Sequence, residues 1–148
     1  MKNTKSYTIC SSSNLLTTNS HWKKLATNYE LEFTTFGDFI TPLHAKRNNG
    51  IIIILFFEDL ILNSDIELNL LKKKYTSFFK MLENQANLID QPIIISWSKF
   101  KNQNIINGVR ENNVKQNFCD WFSEQLTALK RNLKNIYLIN LDDIFYSS

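Results

Sequence analysis

The segment Asn49–Leu60, reading N-G-I-I-I-I-L-F-F-E-D-L directly after Asn48, constrains the fold more than any other part of the chain. Ile51 to Phe57 run apolar without alternation, so both faces of the segment must be covered by other structure. Its β-branched and aromatic side chains suit a strand, and the run is too short to cross a bilayer. A buried central strand is therefore predicted, with Gly50 and the two asparagines before it forming a turn. At Glu58 and Asp59 the character flips, which marks where the strand comes out into solvent. In open α/β sheets the carboxyl ends of such strands are where ligands bind.

The neighbouring segments supply the rest of a sheet. Tyr7–Cys10 reads as a first strand, and Ser11, Ser12, Ser13 and Asn14 follow it as candidate caps for a helix over Leu15–Asn28. Tyr29–Phe33 alternates Tyr-Glu-Leu-Glu-Phe, the pattern of a strand with one exposed face near a sheet edge. Pro42 limits any helix in Asp38–Ala45 to a first turn or a break. Asn63 and Ser64 can cap a helix over Asp65–Asn87, with Ile66, Leu70, Tyr75, Phe78, Phe79 and Leu82 as its buried stripe. Ile93–Trp97 is a further apolar strand, Ser98–Asn113 a polar loop, and Val114–Asn132 a helix that buries Phe118, Trp121, Phe122, Leu126 and Leu129. Asn135–Leu141 is the last strand, and Asp142 and Asp143 mark its exit. Helices alternating with short apolar strands predict a three-layer α/β domain, a doubly wound and mostly parallel sheet of about five strands.

With 148 residues and 43% hydrophobic content, the chain fits one globular domain. Ser147 and Ser148 just past a strand are what an excised N-terminal module of a larger protein would show. The net charge of +3 is spread in small basic groups on helical segments, too thin and too short of interleaved aromatics for nucleic-acid binding. Cys10 and Cys119 lack metal spacing and read as buried thiols of a reducing compartment. No signal peptide or membrane span is present in the sequence, so a cytoplasmic location is expected.

Three groups should share the carboxyl-end rim: Ser11 to Asn14, Glu58 with Asp59, and Asp142 with Asp143. A serine after the first strand suggests a hydrolase, but its hydroxyl needs a base, usually imidazole. The two histidines, His21 and His44, fall inside the first helix and before the central strand, and neither follows Asp142-Asp143. No triad can be assembled by spacing, and helix capping accounts better for Ser11, Ser12 and Ser13. Glu58, Asp59, Asp142 and Asp143 are rim candidates for ligand recognition or, as hard oxygen donors, for Mg²⁺, although nothing in their spacing selects a metal. Gly37, Gly50 and Gly108 are isolated, so no phosphate-binding loop exists and no cofactor is implied. Lys72, Lys73, Lys74, Lys99 and Lys101, with the Trp97 ring, are candidate partner contacts.

The central stretch, preceded by E-L-E-F-T-T-F-G-D-F, resembles the N-terminal domain of FkbH-like proteins and its relatives at the front of nonribosomal peptide and polyketide synthetase subunits. The corresponding segments here are Ser11–Leu16, Glu32–Phe39 and Asn49–Leu60. The resemblance implies an SGNH-like, flavodoxin-like fold. It departs at Phe36-Gly37-Asp38, where the family carries Tyr-Asn-Gln. The Gly-Asp-Ser start and terminal histidine of SGNH hydrolases are absent, as is the phosphatase-like motif of the FkbH second domain. What the resemblance implies is a noncatalytic docking or positioning module for an acyl or peptidyl carrier protein or a neighbouring synthetase domain. The competing expectations are a degenerate SGNH-like serine esterase or acyltransferase and a small-ligand binding domain.

Overall fold

The isoleucine-rich run is the middle strand of a parallel sheet, as its two-sided apolarity requires. The structure, a computed structural model, describes residues 5–13, 19–25, 27–34, 38–44, 49–61, 67–98 and 113–145. In chain order the elements are β1 (Lys5–Ser11), α1 (Asn19–Leu25), β2 (Tyr29–Phe33), a 3-10 turn (Thr41–Leu43), β3 (Gly50–Phe56), α2 (Phe57–Leu60) and α3 (Leu68–Leu88). They continue with β4 (Ile93–Ser98), α4 (Asn113–Asn132), β5 (Ile136–Asn140) and α5 (Leu141–Phe145). The strands lie in the order β2-β1-β3-β4-β5, and every pairing is parallel. The chain winds outward from β1 in one direction and then from β3 in the other. Right-handed crossovers therefore place α1 on one face and α3 and α4 on the opposite face, which gives three layers.

The face under α3 and α4 carries most of the core. Register and alternation put Ile51, Ile53 and Leu55 of β3 beside Ile93, Ile95 and Trp97 of β4 on that face, and all six are buried. Leu71, Tyr75, Phe78, Phe79 and Leu82 press on them from α3, and Phe118, Phe122 and Leu126 from α4. The Phe122 ring is the hub, 4.7 Å from Phe79 and 5.0 Å from Phe57 between centroids. Each such side chain contributes about 1.5–3 kcal/mol by leaving water. The Asn135 amide, just before β5, donates to the carbonyls of Ala86, Ile89 and Gln91 at 2.9–3.1 Å, tying the end of α3 to the start of the last strand.

Several boundaries differ from the sequence reading. Gly50 lies inside β3 instead of in a turn, opposite Tyr7 in the register. A Cβ there would meet the Tyr7 ring at 2.5 Å, so the glycine makes room for that ring. Leu70 is 57% exposed, and Leu71 takes its place in the buried stripe. Spacings of three and four run Leu71, Tyr75, Phe78, Phe79, Leu82, and that phase excludes Leu70. Glu58 and Asp59 sit in a helical turn instead of a loop. Leu141 likewise opens α5 instead of ending β5, so a helical turn follows the last strand. Of the loop expected over Ser98–Asn113, Ser98 belongs to β4 and Asn113 to α4, while 99–112, like Asn63, Ser64, Asp65 and Ile66, lie outside the described residues. The same holds for Leu15 and Leu16, so the described first helix is the shorter Asn19–Leu25.

Cys10 and Cys119 are buried free thiols, as their spacing suggested. Among the described residues no helix is long and apolar enough to cross a membrane.

Candidate functional site

The candidate site is the seam where β1 and β3 lie side by side, since the winding reverses there, and in open α/β sheets ligands bind at such a reversal, beyond the carboxyl ends of the strands. Ser11 and Ile54 are the last paired residues of the two strands. Ser12 continues the ladder, its N–H donating to the Ile54 carbonyl at 3.1 Å. There the chain turns away, and Phe56 would lose its partner on β1. The Ser12 hydroxyl replaces it, accepting from the Phe56 N–H at 2.9 Å. The same hydroxyl donates to an Asp59 carboxylate oxygen at 3.3 Å, a long contact held by the helical turn that follows β3. Ser11 is occupied too, its hydroxyl accepting from the Ser13 N–H at 3.0 Å.

These bonds give Ser12 a role that the sequence does not announce. The Ser12 hydroxyl joins the end of β1 to β3 and to the turn after it, whereas the Ser11 hydroxyl closes a local turn with Ser13. Ser11 and Ser12 are buried, only 4% and 7% exposed. His21 and His44 are both exposed, and among the described residues neither ring bonds to Ser11, Ser12 or Ser13. Asn14 lies outside the described residues.

Two further groups occupy the same rim. Ser98, at the end of β4, donates to Asp142 at 2.6 Å, and the Asp142 N–H is in turn held by the Asn140 side chain at 3.0 Å. A strand-end serine bonded to an aspartate in the turn after the next strand thus occurs twice, as Ser12–Asp59 and Ser98–Asp142. Beyond β2, Asp38 accepts from the N–H groups of Ile40 and Thr41 at 3.2 and 2.9 Å, and the Thr34 hydroxyl donates to its carbonyl at 2.6 Å. Burial works against the Asp38 charge, but the bonds from Thr41 and Ile40 outweigh it and hold the carboxyl below its usual range. Asp38 thus finishes a backbone turn, whereas Asp59 and Asp142 accept from serine hydroxyls.

Glu58 and Asp59 are half-buried together on α2, as are Asp142 and, more exposed, Asp143 on α5. Among the described residues no three His, Cys, Asp or Glu side chains stand together as a metal site, so the acids of the two turns do not form the oxygen cage considered for Mg²⁺. Burial, reinforced by the charge of Asp38, pushes the Cys10 thiol up to about 12 and leaves it inert as a nucleophile near neutrality.

The candidate partner contacts divide. Trp97 is 7% exposed, because the alternation that points Ile93 and Ile95 into the core points Trp97 there as well. It is no surface ring. Lys73 and Lys74 are exposed on α3, and Lys72 is half-buried with its ammonium 5.9 Å from the Trp121 ring centroid. The Lys74 ammonium stands 5.4 Å from the Tyr75 ring centroid. Lys99 and Lys101 lie outside the described residues.

Sequence reasoning missed Ser98–Asp142 and the turn-closing role of Asp38. The polar Ser96 and Ser98 at the end of an otherwise apolar strand were the available signal. Comparisons with protein-family models, with curated proteins and with solved structures found no match to this chain.

Proposed function

We propose that this chain is a noncatalytic α/β module that docks or positions another protein, and that its partner is a carrier protein or neighbouring domain of an assembly-line synthetase. The observation that carries the noncatalytic part is the Ser12 hydroxyl, which accepts from the Phe56 N–H and donates its proton to Asp59 while both histidines stand elsewhere on the surface. A serine hydroxyl without an imidazole beside it lacks the usual base that would make it a nucleophile. The resemblance of Asn49–Leu60 to the front domains of synthetase subunits supports the choice of partner. Exposed Lys73 and Lys74 offer a basic face to an acidic carrier, where charge complementarity raises the rate of encounter.

Titration of the chain against carrier domains at low salt tests the reading. Binding that weakens with salt and with Lys73→Glu/Lys74→Glu is the expected result, and no binding to any carrier overturns the choice of partner. Labelling with a fluorophosphonate probe tests the other half. A covalent adduct at Ser11, Ser12 or Ser13 would establish the esterase alternative instead.

A further inference from the structure

The two edges of the sheet are built differently. At one edge, β2 carries the exposed acids Glu30 and Glu32, the kind of charge that discourages pairing with another chain. At the other, β5 reads Ile-Tyr-Leu-Ile-Asn with no charge, proline or bulge. Tyr137 is 50% exposed and Ile139 38%, on the face turned away from α4. The Lys130 ammonium reaches over the Tyr137 ring, 4.9 Å from its centroid, and gives that ring partial cover in a single copy.

We propose that β5 is the contact between two copies of this chain, paired antiparallel about a two-fold axis at Leu138 so that two five-stranded sheets become one. The phase of the backbone supports this register. The Asn135 carbonyl accepts from the Ile93 N–H at 2.8 Å, so Asn135, Tyr137 and Ile139 turn their backbone groups toward β4. Ile136, Leu138 and Asn140 turn theirs to the open edge, and among the described residues no strand lies beyond it. An axis at Leu138 sets Leu138 against Leu138 of the second copy and Ile136 against its Asn140, so the outward-facing N–H and C=O groups meet in hydrogen-bonded pairs. Tyr137 then falls opposite the second copy's Ile139 in the closer, non-hydrogen-bonded pairing, an aromatic against a β-branched side chain on one face.

Charge agrees with the same register. Exposed Lys130, Arg131 and Lys134 precede β5, and the Asp142–Asp143 turn follows it. Antiparallel pairing carries the basic end of each copy to the acidic end of the other, twice over, as an isologous contact demands. A parallel approach would set like charges together. A strand from an unrelated protein would need to reproduce both the apolar match and this charge order.

Sedimentation equilibrium on the whole chain from micromolar to millimolar concentration, with amide hydrogen exchange, tests the pairing. A concentration-dependent dimer is expected, and Ile139→Lys and Lys134→Glu should each weaken it about tenfold because every substitution counts twice across the axis. Adding Asp143→Lys to Lys134→Glu should restore association. In the parent chain the Leu138 amide should exchange more slowly as concentration rises, whereas the Tyr137 amide, already turned to β4, should not respond. This last measurement needs no variant to fold. A monomer throughout, a dimer indifferent to both single substitutions, or a Leu138 amide whose exchange ignores concentration would overturn the proposal. Leu138 protection appearing only when a foreign β-strand peptide is added would overturn it in favour of that partner.

Discussion

The Ser12 hydroxyl accepts the Phe56 N–H at 2.9 Å, so a side chain stands where the last carbonyl of β1 would otherwise close the ladder with β3. Ser12→Ala leaves that N–H without its acceptor in a largely covered seam. Such a loss costs about 1–3 kcal/mol. Chemical unfolding should show the midpoint falling by the corresponding amount with an unchanged slope. Thr at this position should recover part of it, since its hydroxyl can accept the same bond.

Gly50 and Tyr7 form a second testable pair. Gly50→Ala drives a methyl group into the Tyr7 ring, which lies at 2.5 Å from the added carbon. Overpacking of this kind costs about 1–3 kcal/mol. The ring belongs to a half-buried side chain with an edge-on contact to Tyr29 at 5.7 Å, so removing it should relieve the clash. Thermal melts of the two single variants and of Gly50→Ala/Tyr7→Ala should therefore be non-additive, with the double variant more stable than the sum predicts.

Alkaline pH should unfold the domain through two buried groups. Burial, with Asp38 assisting, raises the Cys10 thiol from 9.0 to about 12, and burial raises the Tyr75 hydroxyl, which donates to the Leu60 carbonyl at 3.2 Å, from 10.0 to about 12. Between these values the unfolded chain has lost protons that the folded chain keeps, so the stability is fully present below pH 9 and declines as pH rises toward 12. Each group contributes a slope of up to about 1.4 kcal/mol per pH unit in its window. Urea titrations at stepped pH should show the decline, and Cys10→Ala/Tyr75→Phe should flatten it. Thiol labelling of Cys10 in the native protein should wait on unfolding.

Part of this structure was legible from residues alone, and the boundary has a physical cause. Ile51–Leu55 announces a central strand because burial on two sides leaves no room for alternation, and the five-strand, three-layer plan follows from the helices between such runs. Leu70 was misassigned because it adjoins Leu71, and one residue of helical phase separates the core from solvent. The position of Trp97 at a strand end suggests an exposed ring, whereas the pleat turns that ring into the core. Ser12 could not be read at all in this way. Its partner on β3 lies 44 residues further along the chain, and its role exists only once the two strands are adjacent.

The aromatic hub at Phe122 has a consequence for how the domain comes apart. It binds α2, α3 and α4 into one block, whereas none of the five residues of β2 is fully buried. Thermal fluctuation should therefore peel the molecule from its acidic margin inward, with β2 and α1 leaving while the block endures. Native-state amide exchange would register this as two tiers of protection within one small fold.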